Sequence, residues 1–309
     1  MENETQNSKP TIMTRTHVLA FGFLCAVSIV LWWHSLVVTL RLALSNDAYT
    51  HILLILPLSA ALIFQDSKYG DSKALQIDPQ PRLRIGAALL ALALLTGCYA
   101  RWGMFASPDD VRLSLGMLAL VTWWIGSAIL CFGVNAFRSF LFPLCFLFWM
   151  VPVPAFVLNG IVHFLQYQSA LAARILFQAI GVPVAQDGIM LAIPHLNIEV
   201  ATECSSIRSS LMLVVTTMVL SNLFLRSWWR RSLLVAAAIP LSVAKNGLRI
   251  FTIAELGTRV DPGFLNGKLH HNGGIIFFAI SVVAVVGLLW ILRRTEFRMP
   301  LERPVESTQ

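Results

Sequence analysis

The chain has 309 residues, of which 57% are hydrophobic and only 13% charged, with a formal net charge of +7. Soluble domains carry about 25% charged residues, so a soluble globular fold is excluded. The basic excess sits in short loops between apolar runs, which is how a membrane protein orients itself, and this excludes nucleic acid as the partner.

Apolar runs long enough to cross a bilayer recur along the whole length and predict an all-α polytopic integral membrane protein. Lipid offers no partner to backbone N–H and C=O groups, so helices are the economical solution. In chain order the expected spans lie near 18–36, 49–65, 85–100, 113–133, 140–157, 205–225, 232–256 and 273–292. The first is expected to be an uncleaved span, because its apolar run lacks a small-residue cleavage site. The domain plan is a polar, disordered cytoplasmic N-terminus over 1–16, a transmembrane domain over 17–292 and a basic cytoplasmic tail over 293–309.

The segment 160–181 is long enough to span but carries His163, Gln166, Gln168, Arg174 and Gln178. Arg174 at a bilayer centre costs roughly 2.5–3.5 kcal/mol on insertion scales. The segment is expected to be an interfacial or re-entrant helix, following a break at Pro152 and Pro154. Eight crossings place Lys68, Lys73, Arg82, Arg84, Arg138, Arg226, Arg230, Arg231, Arg293 and Arg294 on one side. Nine would move Arg226, Arg230 and Arg231 to the other side, against the positive-inside bias. Both termini are therefore expected inside. The stretch 182–203 then falls outside, where short alternating runs broken by Asp187-Gly188 predict a small extracytoplasmic β-hairpin capping whatever lies beneath.

Three residues that lipid rejects are expected at that same outer face. Cys204 precedes the run 205–225, Arg249 lies late in the run 232–256, and His270 precedes the run 273–292. Each has an ordinary explanation taken singly: a buried thiol, a base snorkelling to the interface, a solvated loop histidine. Together they supply a nucleophile, an anion stabiliser and a proton carrier. A helix N-terminus favours the thiolate, and Arg208, one turn on, adds to it. Arg249 shares a helix face with Lys245, and its planar fork suits a developing oxyanion. A neutral imidazole near its ordinary pKa moves protons near pH 7. His271 is adjacent to His270 but cannot share its helix face, and His51 sits at the same membrane face. Zinc held by His51, His195, His270 and His271 is a further reading, but no metal spacing supports it, and no metal or cofactor is expected.

The strings Glu203-Cys204-Ser205-Ser206-Ile207-Arg208, Asn246-Gly247-Leu248-Arg249-Ile250 and His270-His271-Asn272-Gly273-Gly274 resemble, in order, the three motifs of the exosortase/archaeosortase family. The resemblance also takes in Tyr49-Thr50-His51, the Pro152 and Pro154 break, and Gly181-Val182-Pro183-Val184, so it covers roughly 45–292. It departs at Ser206, where the family usually has Gly. The resemblance implies a polytopic cysteine peptidase or transpeptidase of the cell envelope. Its active site would face the periplasm or exterior of the inner (plasma) membrane. Its partners would be secreted proteins with a C-terminal Pro-Glu-Pro-like sorting tail, membrane lipids, and a polysaccharide or lipid acceptor. By position, Cys204 would be the nucleophile, Arg249 the stabiliser and His270 the proton carrier, with Arg208, Asn246, His271, Lys245 and His51 in support. The competing class is a transporter or flippase in which Arg249 and Lys245 bind an anionic substrate, although no inverted repeat is visible. A glycan enzyme would favour paired carboxylates, and Asp109-Asp110 is the one pair in the chain.

Overall fold

The structure, a computed structural model, describes residues 11–12, 15–69, 76–77, 81–102, 108–194, 196–200, 207–261, 263 and 274–298. It is an almost all-helical polytopic membrane fold, as the composition requires. The helices are α1 (Arg15–Leu31), α2 (Trp33–Ser45), α3 (Ile52–Tyr69), α4 (Pro81–Trp102), α5 (Asp109–Ser139), α6 (Leu141–Phe146), α7 (Ala155–Ala179), α8 (Ile207–Phe224), α9 (Trp228–Arg259) and α10 (Gly274–Arg298). Two-residue strands β1 (Thr11–Ile12) and β2 (Gln76–Ile77) pair antiparallel. Strands β3 (Ala185–Asp187), β4 (Met190–Ile193) and β5 (Leu196–Glu199) form an antiparallel meander. Among the described residues, six helices are long and apolar enough to cross a membrane, or up to eight if each of two bent pairs counts as one span.

The bent pairs are where the helices depart from the predicted spans. The first span is α1 and α2, which meet at 76° around Trp32. The span predicted at 140–157 is instead α6 and a 3-10 turn (Leu147–Met150), followed by a 96° bend into α7. Ten residues of helix reach about 15 Å, half of a bilayer core, so 141–150 cannot cross alone. The cause is Pro152 and Pro154, which lack the N–H a continuing helix needs.

By contact the chain forms two compact units, residues 1–158 and 159–309. In the first unit, side chains satisfy backbone where helices stop. Ser114 Oγ donates to Pro152 O at 2.7 Å, Tyr49 Oη donates to Val153 O at 2.9 Å, and the Ala155 N–H donates to Asp110 Oδ2 at 2.6 Å. Irregular backbone survives at membrane depth only where protein groups replace water in this way. Trp123 Nε1 donates to Leu24 O, and Trp124 Nε1 to Ser28 Oγ, locking α5 onto α1. Helices α4 and α5 cross at Gly86 and Gly126. A Cβ on Gly86 would lie 2.9 Å from Leu130 Cβ, and one on Gly126 would lie 3.3 Å from Gly86 O. This is the small-residue contact expected where dispersion, not hydrophobicity, drives association.

The second unit holds two cores. One is a three-helix bundle of α8, α9 and α10 around Leu213, Leu225, Leu234, Ala238, Val285, Leu289 and Leu292. The other joins the meander to α7 and α9. Strand β4 alternates, burying Leu191 and Ile193 and exposing Met190 and Ala192. The buried pair packs with Ala170, Ala173, Phe177, Val200, Ile250 and Ala254. The predicted hairpin is present, turning at Gly188 with φ +58, and a third strand extends it.

Candidate functional site

Cys204, His270, His271 and His195 lie outside the described residues. The structure describes what flanks them in the second unit. Helix α8 begins at Ile207, so Arg208 and Ser209 occupy its first turn, Arg208 exposed and Ser209 half-buried. On α9, Lys245, Asn246 and Arg249 are all buried, with relative exposures of 6%, 1% and 8%. Lys245 and Arg249 are four residues apart, hence one above the other on a single helix face. Their burial excludes the snorkelling explanation: neither side chain reaches outward.

Lys245 Nζ donates to Ser209 Oγ. That bond sets the start of α8 beside Lys245, not beside the end of α9. Arg249 stands ten residues before Arg259, which at 1.5 Å per residue is about 15 Å of helix. The last turns of α9 therefore run past the α8 terminus. There they carry Ile250 and Ala254, the residues on which the meander packs. The three-stranded sheet sits on the same stretch of α9 as Arg249.

Helix α7 supplies the other wall of this unit. Asn246 Nδ2 donates to Ser169 Oγ at 3.0 Å, both buried, and Gln166 Nε2 donates to Val200 O at 2.7 Å. Val200 is four residues before Cys204 in sequence, and its N–H donates to Ile189 O at 3.1 Å. One face of α7 thus clamps both the segment leading to Cys204 and the helix carrying Arg249. A Cβ on Gly247 would meet Ala172 Cβ at 2.5 Å, so α9 approaches α7 closely only because residue 247 has no side chain. Gln166, Ser169 and Ser209 were not among the predicted site residues. The available signal was spacing: Gln166, Ser169, Ala170, Ala173 and Phe177 form one buried stripe of α7 at helical period.

His51 belongs to the first unit. It is 4% exposed, its Nδ1 bonds Ala48 O at 3.1 Å, and its ring meets Trp149 edge-on at 6.1 Å between centroids. Of the four histidines considered for zinc, His51 alone is described, and no three His, Cys, Asp or Glu side chains gather in metal-holding reach among the described residues. The remaining cysteines are free thiols: Cys131 is buried, Cys25 half-buried, and Cys98 and Cys145 exposed on apolar helices.

The buried bases on α9, their tie to the α8 start and the sheet packed on α9 all fall within 45–292, the stretch over which the sequence resembles the family. A family model described as transmembrane exosortase matches residues 32–287. The chain belongs to the transmembrane exosortase family. No curated protein and no solved structure matches it. Membership makes it a multi-pass membrane protein of the sorting-transpeptidase class, acting on substrate proteins that carry sorting tails. In this exosortase the match begins at Trp32, the bend between α1 and α2, and ends in the second half of α10. It therefore takes in both units.

Proposed function

We propose that this exosortase cleaves the C-terminal sorting tail of secreted proteins through a thioester on Cys204, at the extracytoplasmic face of the inner membrane. The supporting observation is the Lys245–Ser209 bond, which joins the helix bearing buried Arg249 to the first turn after the Cys204 motif. In the proposed reaction the Cys204 thiolate attacks the scissile carbonyl carbon. Arg249 donates two N–H groups to the resulting oxyanion, a site worth several kcal/mol when water is excluded. His270 gives its proton to the leaving amine as the C–N bond breaks, leaving the acyl group on sulfur. A hydroxyl or amine acceptor, or water, then attacks the thioester and returns the proton to His270.

The other residues act in support. Arg208 adds positive potential near the thiolate, Lys245 holds the α8 start, and Asn246 fixes the rotation of α9 against Ser169. His271 and His51 are given supporting roles on the family resemblance alone. The transmembrane exosortase-like domain is assigned to 17–292, with polar cytoplasmic ends at 1–16 and 293–309.

The test is processing of a tagged substrate carrying a Pro-Glu-Pro-like tail in cells that express either enzyme variant. Cys204→Ala should leave the uncleaved form to accumulate at matched enzyme levels. Replacing Cys25, Cys98, Cys131 and Cys145 together with Ala should leave most processing intact. Normal processing by Cys204→Ala would exclude covalent catalysis at this residue.

A further inference from the structure

At the opposite end of the α8–α9–α10 bundle, arginines gather from two segments distant in sequence. Arg226, Arg230 and Arg231 come from the α8–α9 turn and the start of α9. Arg293 and Arg294 come from late in α10. Glu296 joins the two segments: its carboxylate accepts from the backbone N–H of Arg226 at 3.2 Å and of Ser227 at 2.7 Å. It is the single acidic residue in 207–254 and 274–298, and Arg231 is turned away from it, donating to Leu225 O at 2.8 Å and Asn222 Oδ1 at 3.0 Å.

Arg230 is the informative member. It is 5% exposed, reaches Glu296 only at 3.4 Å, and its Nε–H has no acceptor. A guanidinium carries five donors and cannot discharge by losing a proton. Burying one with so little compensation is costly unless an anion completes it. Exposed Arg226 and Arg293 flank the same carboxylate, Arg226 through its N–H and Arg293 one turn earlier on α10, whereas Arg294 faces the other way, stacked on exposed Trp290. Aromatic rings orient the fork groups: Arg230 lies 4.9 Å from the Trp229 ring centroid, Arg294 3.7 Å from Trp290, and Arg293 5.7 Å from Phe224. Trp228, Trp229 and Trp290 are themselves 78%, 47% and 54% exposed. Tryptophans at helix ends mark the depth of lipid headgroups. Basic side chains gathered from two transmembrane helices at that depth are the chemistry that holds an anionic headgroup.

We propose that this corner is a specific binding site for an anionic phospholipid. Its phosphate would be held by Arg230 and the exposed side chains of Arg226 and Arg293, with its acyl chains beside Trp229. The site is separate from the one under the sheet and does not depend on the sorting chemistry.

Native mass spectrometry of the full chain, exchanged into phosphatidylglycerol or phosphatidylcholine, reads the site directly. Wild-type protein should retain phosphatidylglycerol adducts in preference to phosphatidylcholine. Arg226→Gln combined with Arg293→Gln changes only exposed side chains, so folding should be kept. Each lost arginine should weaken retention about fivefold. Arg230→Gln should weaken it further, and if that variant does not fold, the exposed pair still decides. Arg101→Gln, far along the chain, should change nothing. Unchanged phosphatidylglycerol preference in the exposed-pair variant overturns the proposal. So does thermal protection by inorganic phosphate equal to that by the lipid, which would assign a soluble anion instead.

Discussion

Arg249 and Asn246 are three residues apart on α9, yet they face different tasks. Asn246 is spent on Ser169 of α7, whereas Arg249 shares its face with Lys245 toward the start of α8. Arg249→Lys keeps the charge and loses the planar fork, so at an oxyanion site it is not conservative. We expect a loss of about 10²–10³ in processing rate, the usual cost of one missing donor. A silent Arg249→Lys would make Arg249 a structural base and move the stabiliser to Arg208 or Lys245. Asn246→Ala acts through packing instead. Interhelical hydrogen bonds within membranes couple by about 0.6 kcal/mol, rarely above ~1.7. A double-mutant cycle of Asn246→Ala with Ser169→Ala, read by thermal unfolding in detergent, should return a coupling in that range. A coupling of zero would remove the clamp role.

Helix α7 shows why some elements were legible in the sequence and others were not. The break before it at Pro152 and Pro154 could be read directly, because proline ends a helix by covalent geometry, although the expected segment, 160–181, began five residues after the observed start. Its polar residues suggested an interfacial surface. Gln166 is instead turned inward to a backbone carbonyl, and Ser169 to Asn246. Polarity states that a side chain needs a partner, not where the partner is. The meander was legible for the opposite reason: alternation and Asp187-Gly188 are local signals, and only its third strand, after Pro194, escaped. Gly247 is the test at this scale. Gly247→Ala places a methyl 2.5 Å from Ala172 Cβ and 3.1 Å from Ala173 N. Overpacking of this kind costs about 1–3 kcal/mol. The control is Gly287→Ala on α10, where a Cβ meets nothing within 4 Å and helix propensity gains up to ~1 kcal/mol. Thermal unfolding should fall for Gly247→Ala and hold or rise for Gly287→Ala; equal shifts would mean that the α7–α9 approach is looser than described.

At the scale of the whole molecule, orientation follows from the three helices of the second unit. The two bent pairs leave six to eight candidate spans among the described residues, but α8, α9 and α10 are each long and apolar enough to cross. Three consecutive crossings put the 225–227 turn and the end of α10 on one side. They put the start of α8 and the end of α9 on the other, whatever the bent pairs do. The first side carries Arg226, Arg230, Arg231, Arg293 and Arg294, so the positive-inside bias assigns it to the cytoplasm. On the proposed reading, the meander, Cys204 and His270 are then expected on the extracytoplasmic side. Reporter fusions after Arg231 and Arg294 should read cytoplasmic, and one at Asp187 should read external. A fusion at Asn135, beyond the Gly133 kink of α5 where φ is +90, adds the missing comparison. If it reads cytoplasmic while Asp187 reads external, α6 and α7 together cross once. If both read external, that pair is re-entrant and the spans number fewer than eight. A cytoplasmic reading at Asp187 with an external one after Arg231 would invert the second unit, and a thiol acting on secreted substrates could not then be Cys204.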